Sequence, residues 1–144
     1  FAVNKGFIKV FGGDQLRPNL HIKDYCETVE ILLRSESEKI SNQIFNVGYQ
    51  NMSISQLAQL VKKVVEKEFP EKKNIEILKT SSDDNRSYHI NSEKIEKILG
   101  FKPKRSIELA VKDLCKAFKE KKILNSFEND LYFNVNRLKN LNAK

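Results

Sequence analysis

The 144-residue chain lacks tryptophan altogether, has a single methionine and contains only two cysteines. Two cysteines, Cys26 and Cys115, are too few for a disulfide framework or a thiolate metal cluster. Both sit among helix-patterned residues, where they are expected as buried small apolar side chains. That usage fits a reducing, cytoplasmic compartment. Three prolines and five glycines exclude collagen-like and low-complexity chains. No apolar run is longer than the three residues of Ile31 to Leu33, far short of the roughly 18 that a membrane helix needs. The chain opens on Phe1 without a charged-then-apolar leader, so an internal start within a longer product is expected. Catalytic signatures are missing as well. There is no Gly-x-Gly-x-x-Gly, no phosphate-binding loop of the Walker type and no Gly-x-Ser-x-Gly elbow. None of Tyr25, Tyr49, Tyr88 or Tyr132 has a lysine four residues later, and His21 and His89 have no metal-ligand spacing with the cysteines.

What is present is an apolar fraction of 40%, enough for a real core, and a net charge of +7. The charge raises the question of nucleic acid. However, Lys62, Lys63 and Lys67 alternate with Glu66 and Glu68, and Lys119, Lys121 and Lys122 surround Glu120. Interspersed charges of both signs mark a solvated face.

The pattern alternates between short strands and helices, an α/β arrangement. Phe7 to Phe11 reads as a strand stopped by Gly12-Gly13-Asp14, and Leu20 to Ile22 as a second. Lys23 to Arg34 reads as a helix with Cys26, Val29 and Leu33 on its apolar stripe and Asp24 in its first turn. Ser35 to Ser41 reads as linker and Ile44 to Val47 as a buried strand ended by Gly48. Ser53 and Gln56 make a capping box for a helix bearing Leu57, Leu60, Val61, Val64 and Val65. Ile75 to Leu78 is a further strand, and Tyr88 to Ile90 a short extended piece. Asn91 can cap a helix ending at Leu99, with Gly100 as its stop. A last helix carries Ile107, Ala110, Val111, Leu114 and Phe118.

Two loops suit an anionic ligand. Gly12-Gly13-Asp14-Gln15-Leu16-Arg17 delivers a guanidinium from a glycine turn, where the backbone can approach closely and a planar fork matches phosphate oxygens. Asp84-Asn85-Arg86-Ser87-Tyr88 is the second, although Arg86 can equally pair with Asp83 or Asp84 across its own turn.

Three blocks carry a family resemblance. The run from Gly12 to Asp24, through Arg17, Pro18, His21 and Ile22, resembles a segment of the extended short-chain dehydrogenases, the NAD-dependent epimerases and dehydratases of nucleotide sugars. Ile44-Phe45-Asn46-Val47-Gly48 resembles that family's Phe-Asn-Val-Gly strand. Tyr88 to Lys94, followed by Leu99-Gly100-Phe101-Lys102-Pro103, resembles its ending. The match runs from about Phe1 to Phe118, with a weaker tail match around Tyr132 to Leu138.

The resemblance implies a C-terminal, substrate-binding portion that completes a Rossmann-type sheet in the full protein. It implies a substrate domain over 1–124 and a tail over 125–144. NAD(P) would be bound by an N-terminal half carrying the glycine loop and the Tyr-x-x-x-Lys pair, with no cofactor site in this chain. The implied partners are a nucleoside-diphosphate sugar, that N-terminal half and, at full length, a second copy in a homodimer, with neither nucleic acid nor membrane. By the same resemblance Lys9, Val10 and Phe11 contact the nucleotide base, Arg17 grips the diphosphate and Asn46 lies near the substrate. His21 and Asp24 match structural positions. Two departures stand out. Asn19 replaces an aromatic or aliphatic residue, and Ser81 stands where many members have a second diphosphate arginine; Arg86, in an Asp-x-Arg-Ser-Tyr context, is the candidate to replace it, its pairing with Asp83 or Asp84 being the alternative.

Two other readings follow from the residues alone. A basic nucleic-acid-binding domain would interleave aromatics with cations on one strand face, whereas Phe11, Phe45 and Phe118 read as core. A free-standing, non-catalytic domain binding a nucleotide sugar or a protein partner is the other.

Overall fold

All side chains of Phe7–Phe11 but Lys9 are apolar, and this run forms strand β1 after a four-residue helix α1 (Ala2–Lys5) that Gly6 terminates in the left-handed region. The computed structural model describes residues 1–84 and 86–142. Asn85 of the second loop and the last two residues of the expected tail lie outside the described residues. The described chain divides into two compact units, Phe1–Lys112 and Asp113–Lys144, the boundary falling within one helix.

In the first unit the remaining elements are β2 (Leu16–Asn19), α2 (Ile22–Arg34), α3 (Ser37–Ile40), β3 (Gln50–Ser53), α4 (Ile54–Glu68), β4 (Glu76–Thr80), α5 (Glu93–Leu99) and the start of α6 (Ile107–Lys119). β1 and β4 pair in parallel, Phe7 opposite Glu76 and Phe11 opposite Thr80. β2 and β3 pair antiparallel, with Arg17 opposite Met52 and Pro18 opposite Asn51. Because a two-stranded ribbon is all edge, Pro18 costs no ladder bond there. α4 packs on β1, and the core gathers Val10, Ala58, Val64, Val65, Phe69, Ile75, Ile95 and Phe101. The expected capping box forms: the Ser53 hydroxyl accepts the Gln56 amide, and the Gln56 side chain accepts the Ser53 amide. Ion pairs at helical i,i+4 spacing, such as Lys62–Glu66 and Lys112–Glu108, mark the solvated faces.

Several elements differ from expectation, each for a local reason. Leu20 to Ile22 is not a strand. The His21 side chain caps α2 by accepting the Lys23 amide, and the strand, β2, ends at Asn19, just before the expected one. Ile44 to Val47 is irregular, with Ile44 81% exposed, and the pairing falls to Gln50–Ser53 instead. The expected linker at Ser35 to Ser41 contains the single-turn α3. Phe11 is exposed at the strand end instead of lying in the core.

The largest difference is in α2. Its buried side chains are the polar Asp24 and Thr28, while Ile22, Tyr25, Cys26, Val29 and Leu33 face solvent, so Cys26 is exposed whereas Cys115 is buried. The polar face is turned inward by a specific partner. The Asp24 carboxylate accepts the backbone amides of Lys104 and Arg105 and pairs with the Arg105 guanidinium, which also reaches Glu27 at 2.9 Å. Thr28 closes the set by donating to the Asp24 carbonyl.

In the second unit α6 ends, a single 3₁₀ turn follows at Asp130–Tyr132, and α7 covers Asn134–Asn140. The Asn129 side chain caps the turn by accepting the Leu131 amide, and Asp130 accepts from Arg137 and Asn140. Leu131, Val135, Leu138 and Leu141 are exposed. Among the described residues no helix is long and apolar enough to cross a membrane, and no group of His, Cys, Asp and Glu is arranged to hold a metal.

Candidate functional site

At the C-terminal end of β1 the chain turns sharply through Gly12 (φ 74°) and Gly13 (φ 140°), backbone conformations that L side chains rarely adopt. Both glycine amides of this turn have partners. The Gly12 amide donates to the Thr80 carbonyl on β4, and the Gly13 amide to the Gln15 side-chain oxygen. The carbonyls of Gly13 and Gln15 accept the Ser55 and Ile54 amides, closing the N-terminus of α4 against the turn. Gln15 also donates to the Phe11 carbonyl, stapling strand to turn. The result is an open hollow of about 270 Å³ lined by Gly12, Gly13, Asp14, Gln15 and Ser87.

Gly13 is sterically committed. A Cβ there would strike Ser55 Oγ, and Lys79 Nζ stands 3.8 Å from the same point. Gly13→Ala is expected to destabilise the first unit by about 1–2 kcal/mol, from strain at positive φ together with the displacement of Ser55. Urea unfolding measures it, and an unchanged midpoint would contradict the geometry.

Arg17 lies in β2 beside this hollow with its side chain about a quarter exposed. Nη1 donates to the Leu16 carbonyl at 2.9 Å and the Arg86 carbonyl at 2.5 Å, Nη2 reaches Asp84 Oδ2 at 3.5 Å, and the guanidinium stands 5.2 Å over the Tyr88 ring. Such stacking orients a guanidinium without consuming its in-plane donors.

The loop carrying Arg86 is stitched to the β2–β3 ribbon chiefly by side chains. The Ser87 hydroxyl accepts the Leu16 amide, the Tyr88 amide donates to the Leu16 carbonyl, and the Asn51 amide group bonds both the N–H and C=O of Ile90. Ser92 in turn accepts from and donates to Gly48. Asn91 accepts the Glu93 amide at the start of α5, and Gly100 ends that helix in the left-handed region. Within the loop Asp84 takes Arg86 in both prongs, at 2.7 and 3.0 Å. The Arg86 guanidinium, with Arg17 more distant, holds the Asp84 carboxyl down to about 2. This pair therefore stays ionised well below neutral pH.

Of the residues marked by the sequence, Arg17 and Arg86 come together around Asp84. Lys9, Val10 and Phe11 lie on β1 leading into the turn, Val10 buried and Phe11 open to solvent. Asn46 is exposed in the irregular 44–48 segment, and no described hydrogen bond joins it to the arginines. Lys79 carries no sequence signal of its own, and Gln15 and Ser87 are marked only as members of the two loops, with no role of their own. They are ordinary polar residues until β4 and the 84–88 loop are folded beside the turn.

No family model matches the chain. Solved structures do. One is L-threonine dehydrogenase from Phytophthora infestans, with a TM-score of 0.69 and 13% identity over 83% of this chain and 39% of that one. A second is UDP-glucose 4-epimerase from Thermotoga maritima, solved with UDP-glucose, with a TM-score of 0.67 and 20% identity over 83% and 37%. A third is RMD from Pseudomonas aeruginosa, complexed with NADPH, with a TM-score of 0.65 and 17% identity over 82% and 37%. The chain thus has the α/β fold of a part of each of these enzymes. It spans about two fifths of the length of the structures it matches.

Proposed function

We propose that this chain is the nucleotide-sugar-binding half of an NAD(P)-dependent epimerase or dehydratase. The observation that carries this reading is Arg17, oriented over Tyr88 two residues along from a glycine-lined hollow, with Lys79 Nζ close to Gly13, which lines that hollow. A planar fork, a second cation and a backbone turn suit a diphosphate, which carries several charged oxygens in a short span. β1 leads Lys9 and Phe11 to the same turn, where the exposed Phe11 ring can lie against a base.

The chain's own residues do not fit the cofactor. The one glycine turn spends its amides on Thr80 and Gln15, and the N-terminus of α4 is closed by the turn's carbonyls, so neither is left to cradle a pyrophosphate. The cofactor half belongs to another part of the protein, and α2 supports this. Its apolar stripe of Ile22, Cys26, Val29 and Leu33 is what a helix presents to a partner layer. On this reading the half described here binds and orients: contacts to the remote diphosphate hold the sugar at the reacting centre. Alone it is inactive, and NAD(P) with a nucleotide sugar should give no cofactor reduction above a blank.

Titration of the chain with UDP, ADP and GDP, and with the matching nucleosides, tests the reading. At least one diphosphate should bind, and its nucleoside at least tenfold more weakly, a difference of about 1.4 kcal/mol. Equal binding, or none, would remove the diphosphate from the assignment.

A further inference from the structure

Two arginines meet at Asp84, but they meet it unequally. Arg86 holds both carboxylate oxygens, Nε to Oδ1 at 2.7 Å and Nη2 to Oδ2 at 3.0 Å, and its own backbone amide donates to Oδ1 at 3.2 Å. Arg17 has only one long contact to the same carboxylate, at 3.5 Å. Meanwhile the Arg86 carbonyl accepts Arg17 Nη1. One residue therefore restrains the competing anion with its side chain and the guanidinium with its backbone.

We propose that Arg86 is a positioning residue for the diphosphate site and not a ligand of the diphosphate. Its two-pronged grip keeps the Asp84 carboxylate from closing on Arg17, which leaves Arg17 Nη2 to an incoming phosphate oxygen. The inference rests on the reading of Arg17 as diphosphate anchor. The physical reason is competition. A carboxylate and a phosphate present the same kind of acceptor to a guanidinium, and a carboxylate tethered a few ångströms away wins unless something else holds it. With Arg86 gone, Arg17 is the cation left beside Asp84. A phosphate would then have to break that pair and approach a negative charge. Exposure agrees with the division of labour, since the Arg86 side chain is 73% exposed and that of Arg17 27%.

A double-mutant cycle on the whole chain, read by titration with UDP and with inorganic pyrophosphate, tests this. Arg86→Ala alone should weaken binding by roughly three- to tenfold, the range of exposed charge-pair couplings and somewhat above. Asp84→Asn keeps an acceptor for the Arg86 amide while removing the competing charge, and should bind at least as tightly as the wild type. In the Asp84→Asn background, Arg86→Ala should have no further effect. An equal loss in both backgrounds would make Arg86 a direct ligand and overturn the proposal. If Arg17→Ala weakens binding while the two Arg86 losses are equal, only the role of Arg86 is wrong. If neither probe binds, or Arg17→Ala changes nothing, the diphosphate reading fails and takes this inference with it.

Discussion

Arg17→Ala is expected to weaken nucleoside-diphosphate binding by roughly ten- to a hundredfold, the equivalent of the 1.5–3 kcal/mol that a hydrogen bond to a charged group contributes. The side chain is held from three sides, by the Leu16 and Arg86 carbonyls and the Tyr88 ring, so its orientation is largely set before the ligand arrives. Pre-ordering of this kind removes entropy cost from the bound state, and the full contact energy then appears in affinity. Arg17→Lys should recover only part of the loss, because an ammonium cannot make a two-pronged contact. The loss should be of similar size for UDP and for pyrophosphate and absent for uridine, since the contact is to phosphate alone. If a cofactor half is joined to the chain, NAD(P) binding should be untouched. Equal UDP affinities for wild type and Arg17→Ala would refute the assignment.

The parts of the fold legible in the sequence are those decided within a few residues. The Ser53–Gln56 box, the Val64–Val65 stripe, the Gly100 stop and the β1 run all depend on neighbours along the chain, and each is found where its pattern puts it. What could not be read from the pattern depends on partners distant in sequence. α2 has a clear apolar stripe, yet in this unit it buries the opposite face, because Arg105 and the amides before α6 hold Asp24 from about eighty residues away. Ile44 to Val47 has the composition of a buried strand and no described strand to lie beside. A sequence pattern records what an element is prepared to meet. It does not say whether the partner belongs to the same stretch of chain. The candidate site shows the same limit. Arg17 and the glycine turn are adjacent in sequence and visible as a motif, whereas Lys79, Ser87 and Tyr88 join them only through the parallel register of β1 with β4 and the stitching of the 87–92 segment onto the ribbon.

The second large effect concerns that long-range latch. Asp24→Ala is expected to cost about 2–4 kcal/mol of stability, a lowering of the melting temperature on the order of 10 °C for a unit of this size. Asp24 is fully buried, and its carboxylate is the acceptor for two backbone amides, those of Lys104 and Arg105. Removing it leaves those donors unsatisfied, and an orphaned buried donor costs more than an exchanged hydrogen bond is worth. The loss stays below that of a fully buried ion pair because Arg105 is partly open to solvent and keeps Glu27 as a partner. Asp24→Asn separates the two contributions. Its side-chain oxygen can still accept both backbone amides, while its NH2 group faces the Arg105 guanidinium and repels it, so an intermediate loss is expected. The latch also carries a pH signature. Arg105 first, then Lys104, holds the Glu27 carboxyl below its usual 4.5. A depressed folded-state value means that the contribution is fully present above 4.5 and is lost as the pH falls through the lower, folded-state value. Acid unfolding of Glu27→Gln should accordingly start from a lower stability and depend less on pH in that range than the wild type does. A melting temperature unchanged in Asp24→Ala would mean that the Lys104 and Arg105 amides find water in place of the carboxylate, and that the inward-facing polar side of α2 is held by packing instead.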